Sequence, residues 1–73
     1  MKPDMLRFQL AETVKIQMEK KRITRYCDLA RNADVKEFAL AKIVNEHSGV
    51  SLDTICKVLD YLGYDLEIVK KEF

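Results

Sequence analysis

Between positions 4 and 22 the chain has no glycine or proline, and Leu6, Leu10, Val14 and Met18 recur at every fourth place. With Ala11 they make one apolar stripe, which predicts a long helix over about 4–22 with that stripe turned to the core. Met1 to Pro3 reads as a frayed start. Phe8 and Ile16 fall off the stripe and read either as ordinary exposed apolar residues or as part of a dimer surface. Ile23 begins a connection, and Thr24 stands where it can cap a second helix over about 25–32, with Leu29 and Ala30 inward. Asn32, Ala33 and Asp34 break the pattern as a turn. A third helix follows over about 35–45, with Leu40, Ile43 and Ala39 on its inner side.

A loop from Glu46 to Val50 leads to Ser51, which can cap a fourth helix, and Asp53 lies in the first turn, where the helix dipole favours negative charge. Leu52, Ile55, Val58, Leu59 and Leu62 form its apolar face, and Gly63 ends it. Beyond Gly63 the period changes to two. Tyr64, Leu66 and Ile68 alternate with Asp65, Glu67 and Val69, which predicts a short strand over about 64–70. No other segment reads as a strand, so its open edge points to the same strand of a second copy.

At 73 residues this is one domain, 1–73, near the lower size limit for an unaided core, and so a candidate for dimerisation. Apolar content of 48% with 34% charged residues suits a folded helical chain rather than a disordered one. The net charge of +1 gives no global basic excess, so any attraction for nucleic acid must be local. Lys20, Lys21, Arg22 and Arg25 are such a cluster. Cys27 and Cys56 show no metal-type spacing against the lone His47, and they read as buried free thiols. With no signal peptide and no membrane-length apolar run, the expected location is the cytoplasm. No nucleophile–base pair or glycine-rich phosphate loop is present, so neither an enzyme nor a cofactor is expected.

The segment from Arg25 to Leu66 resembles the phage-repressor family of helix-turn-helix domains, the Cro/repressor or xenobiotic-response-element type. Arg25-Tyr26, Leu29-Ala30, Val35, Leu40 and Ile43 fall where that family places its signature, with a helix-turn-helix over about 25–45. Val44-Asn45, the run Gly49-Val50-Ser51-Leu52-Asp53-Thr54-Ile55 and the ending Tyr61-Leu62-Gly63-Tyr64-Asp65-Leu66 are similar to its loop, next helix and close. The resemblance implies an all-α, compact domain of four to five helices, here with a short C-terminal β-strand. It also implies a homodimer on a palindromic DNA operator, with the third helix in the major groove.

Carried over residue by residue, the DNA contacts are Arg25, Tyr26, Lys36, Glu37, Phe38, Lys42 and Asn45, with His47 either a plain surface residue or a further phosphate contact from the loop. Arg25 and Tyr26 suit phosphate, although Tyr26 could instead be partly buried. Lys36 and Lys42 suit phosphate or guanine, and as single lysines they also suit a solvated face. Asn45 could bond a base or a phosphate, or close the third helix. Asp34 stands where the family has its turn glycine, and aspartate tolerates that left-handed place. Glu37 and Phe38 depart from the small polar or basic residues usual in the family. Glu37 can accept from cytosine N4, or complete a capping box with Asp34. Phe38 can touch a thymine methyl or a protein partner. The expected function is a dimeric repressor joined through Tyr64, Leu66 and Ile68. The alternative is an antitoxin-like module that neutralises a toxin, with or without DNA binding.

Overall fold

A computed structural model of the chain describes residues 3–70. Four helices follow one another: α1 Pro3–Lys20, α2 Tyr26–Ala33, α3 Glu37–Val44 and α4 Leu52–Leu62. Proline at the first position of α1 is well placed, since its missing N–H would have had no helical partner there. The helix therefore starts within the segment that reads from sequence as frayed.

The N-terminal caps differ among the helices. Ser51 Oγ accepts from Thr54 N–H at 3.2 Å, as its side-chain chemistry predicts. The expected Thr24 cap does not form. Arg25 is the extended residue before α2 and supplies no side-chain cap, because a guanidinium has only donors. The capping box of Asp34 with Glu37 is absent for a related reason. Lys36 is the residue before α3, again without a side-chain cap, and Asp34 lies too early to serve it.

All four helices end in the same way. Arg22, Asp34, Glu46 and Gly63 take left-handed backbone angles, with φ of 58°, 60°, 59° and 90°. Each turns the chain so that the next N–H reaches back five residues: Ile23 to Met18 O, Val35 to Ala30 O, His47 to Lys42 O and Tyr64 to Leu59 O. The residue at the bend donates in turn to the carbonyl three before it. These are Schellman endings, which satisfy carbonyls that a helix terminus would otherwise leave bare.

α3 packs against α2, α1 and α4, and α2 packs also on α4. The core contains Leu10, Val14 and Met18 of α1, Leu29, Ala30 and Ala33 of α2, Leu40, Ile43 and Val44 of α3, and Val58, Leu59 and Leu62 of α4. Leu6, Ile23, Val35, Val50 and Ile55 pack at its edge. Among the described residues no polar or charged side chain is buried.

Some apolar residues lie outside. Met5, Phe8 and Ile16 are exposed on α1. Leu52 is exposed instead of joining the inner face of α4, because it stands in the first turn and the core contacts of α4 begin at Ile55. The thiols also differ from expectation, with Cys27 half-buried and Cys56 exposed.

The expected strand over 64–70 is not formed. Those residues have no regular secondary structure and are exposed throughout. A strand exists only as part of a hydrogen-bonded ladder, and the described residues of one chain contain no second strand to pair with it. Two contacts nevertheless hold its beginning: Tyr64 N–H on Leu59 O, and the Tyr64 hydroxyl, which accepts from Gln17 Nε2 at 2.9 Å.

Candidate nucleic-acid interface

α2 and α3 are joined by Asp34, Val35 and Lys36. The left-handed Asp34 reverses the chain, and half-buried Val35 anchors the turn to the core. Two further contacts fix this corner against α4: Lys57 Nζ stands 3.8 Å from Asp34 Oδ2, and Asn32 Nδ2 donates to the Tyr61 hydroxyl at 3.4 Å. With Leu40, Ile43 and Val44 turned inward, the outer face of α3 carries Glu37, Phe38, Ala41, Lys42 and Asn45, with Lys36 just ahead of it. Phe38 is 69% exposed, a large value for a phenylalanine.

Four of the expected contact residues converge. Phe38, Lys42, Asn45 and His47 line one shallow depression of about 410 Å³, together with Ala41 and Ser48. The helical spacing brings Phe38, Ala41, Lys42 and Asn45 onto one stripe. His47 joins them because left-handed Glu46 folds the chain back, so that His47 N–H reaches Lys42 O at 2.9 Å. Within the depression Lys42 Nζ lies 4.5 Å from the centroid of the Phe38 ring. The ammonium is also near the loop, 3.9 Å from where a Cβ on Gly49 would be. Asn45 closes α3 at its C-terminal end and also lines the depression.

Arg25 and Tyr26 stand apart from that group, at the start of α2. Tyr26 is 37% exposed, and it shares a second open depression with Arg22 and Thr24. Arg25 bonds Asp28 through Nε and Nη2, both at 3.3 Å, and Arg31 Nη2 reaches the same carboxylate at 2.6 Å. The hydrogen bond and charge of Asp28 raise the Arg25 pKa above its ordinary value, with smaller contributions from Cys27 and Glu37. One carboxylate thus lies between two exposed guanidinium groups and offsets part of their field. The 25, 28, 31 spacing that builds this trio is visible in the sequence, but neither Asp28 nor Arg31 is read there as part of the site. The basic cluster is divided too, since Lys21 Nζ is drawn over the Tyr61 ring at 5.8 Å.

Tyr64, Leu66 and Ile68, expected to join two copies, are 42%, 44% and 101% exposed, beside the also exposed Val69. Leu66 borders Cys56 and Lys57 of α4. Among the described residues there is no group of three His, Cys, Asp or Glu side chains able to hold a metal, and no helix is long and apolar enough to cross a membrane.

Residues 13–67, which are 55 of the 73, match the family model described as a Cro/C1-type HTH DNA-binding domain. No curated protein and no solved structure matches the chain.

Proposed function

The chain belongs to the family of Cro/C1-type helix-turn-helix DNA-binding domains, and from that premise we propose that it is a dimeric, sequence-specific repressor that reads DNA with α3. The observation that supports this placement is the outer stripe of Phe38, Ala41, Lys42 and Asn45, left free while the opposite side of α3 fills the core. α3 enters the major groove, with Phe38, Lys42 and Asn45 toward base edges and Glu37 toward cytosine N4. Lys36, Arg25, Tyr26 and His47 approach the flanking phosphates, which set register without reading sequence. Two copies join through the exposed apolar side chains of Tyr64, Leu66 and Ile68, so the operator is a palindrome. Such a regulator acts in the cytoplasm and needs no cofactor.

The test is binding of the purified chain to a duplex from its own promoter region. Affinity falls steeply with added salt, and Lys42→Ala lowers it further. Binding that ignores salt, or no binding at all, rejects the proposal.

One observation favours a second reading. A phenylalanine 69% exposed beside Glu37 is also suited to a protein surface, as in an antitoxin-like module that covers a toxin. Under that reading Phe38→Ala abolishes capture of the toxin, while DNA binding is absent or separable.

A further inference from the structure

We infer that Phe38 and Lys42 act as one composite reading element for a thymine and a guanine on neighbouring base pairs. This rests on the proposed placement of α3 in the major groove and deepens it, since it names the base step that each copy of α3 selects.

The two side chains are four residues apart and share a face, and the ammonium is 4.5 Å from the ring centroid. That is well inside the range of about 6 Å over which a cation is attracted to an aromatic face. Lys42 therefore does not wave freely. It is half-buried, held between the Phe38 ring and the loop at Gly49, and none of the ion pairs among the described residues uses it. A lysine already fixed loses less rotamer freedom on binding than a free one. Phe38 has most of its ring open to solvent.

Chemistry and spacing then select the partners. A phenyl ring neither donates nor accepts, and the one apolar group on the floor of the major groove is the C5-methyl of thymine. An ammonium only donates, so it favours guanine, which presents N7 and O6 as adjacent acceptors. Adenine sets a donor beside its N7, and thymine sets its methyl beside O4. The 4.5 Å between ring and ammonium lies closer to one base-pair rise, about 3.4 Å, than to twice that distance. The two partners accordingly occupy adjacent pairs.

The test begins by selecting duplexes from a randomised library with the full chain. The enriched duplexes share a T·A pair next to a G·C pair. On the best of them, replacing that thymine by uracil removes only the methyl and lowers affinity roughly fourfold, the worth of one buried methyl group. Replacing the guanine by 7-deazaguanine removes N7 and lowers affinity about fivefold or more. Phe38→Ala abolishes the response to uracil and weakens the response to 7-deazaguanine, since the ring no longer holds the ammonium, whereas Lys42→Met abolishes the response to 7-deazaguanine and keeps the response to uracil. Both side chains are on the outer face, so helix content by circular dichroism stays at the parent's level. An enriched motif whose affinity is unmoved by uracil, or a Phe38→Ala chain that still responds to it, overturns the inference while leaving DNA binding intact. A response to 7-deazaguanine that is missing, together with a salt slope reduced by about one in Lys42→Ala, assigns Lys42 to a phosphate and also overturns it. A library from which nothing is enriched rejects the DNA-reading proposal itself.

Discussion

The Tyr64 hydroxyl accepts a hydrogen bond from Gln17 Nε2, which ties the first residue beyond α4 to the middle of α1 across 47 positions of the chain. Among the described residues it is the one side-chain hydrogen bond that holds the start of the last segment against the bundle, and it lies at the surface. Tyr64→Phe removes it without changing the ring. The expected loss is about 0.5–1 kcal/mol in urea unfolding, with the far-UV spectrum unchanged. An unaltered midpoint means that the bond adds nothing to stability.

The four left-handed helix ends separate into one cheap and three strained positions. Glycine at 63 adopts φ of 90° freely, whereas Arg22 and Glu46 hold a conformation that L side chains disfavour by about 1 kcal/mol each. Arg22→Gly and Glu46→Gly should each raise stability, by up to about 0.5 kcal/mol after the greater freedom of glycine in the unfolded chain is subtracted. Asp34→Gly gains less, since aspartate tolerates this region better. Gly63→Ala goes the other way. If Arg22→Gly and Glu46→Gly both destabilise, side-chain contacts at these corners outweigh the backbone strain.

Leu29 of α2 and Leu40 of α3 are fully buried in the shared core. Replacing either by alanine should lower stability by about 2–5 kcal/mol. Typical domains have about 5–15 kcal/mol in all, so a chain of this size is left partly unfolded at 37 °C. Phe8→Ala on the exposed side of α1 serves as the contrast and should change stability by less than about 0.5 kcal/mol. Calorimetry on the three variants decides the matter.

Asp28 shields Arg25 and Arg31 from any phosphate they approach. Asp28→Asn should therefore tighten DNA binding at low salt and steepen the dependence of log affinity on log salt, by about 0.9 for each guanidinium that gains a phosphate. A small loss of stability accompanies it, since Asp28 sits in the first turn of α2, where the dipole favours an anion. Weaker binding with an unchanged slope would show instead that the carboxylate holds the arginines in their working positions.

The proposed dimer contact can be tested without disturbing the bundle. Leu66 and Ile68 are exposed, so Leu66→Asp with Ile68→Asp should leave helix content intact and convert a dimer into a monomer in sedimentation. A dimer that persists places the contact elsewhere.

Much of this fold is legible in the amino-acid order, because most inner positions of the four helices follow from apolar spacing, although Leu52, read as inward, is exposed and Ala33, read as part of the turn, is a buried residue of α2. Val14, Leu29, Leu40 and Val58, the most buried of the larger side chains, each stand on a face predicted to point inward. The left-handed turn at Asp34 is also legible, through the tolerance of aspartate for that region. Its counterparts at Arg22 and Glu46 are not, since nothing in the preferences of arginine or glutamate marks them. The caps before α2 and α3 mislead because Thr24 and Asp34 have the right side-chain chemistry one or two places too early. The alternation over 64–69 is real, but alternation shows only which side chains share a side and cannot supply the second strand that a ladder requires. At the candidate site, spacing yields Phe38 and Lys42 as neighbours. The pairing of ammonium and ring, and the return of His47 to their side, depend on rotamers and on the bend at Glu46.

The hydrocarbon core has a consequence for how such a regulator lets go. No charge among the described residues is buried, and the surface ion pairs contribute little to stability. Ionic strength acts strongly on the attraction between lysines and phosphates and only weakly on what holds the helices together. Dissociation therefore does not require denaturation. A rise in salt can strip the protein from DNA while every helix stays in place, ready to rebind as soon as the ions are diluted.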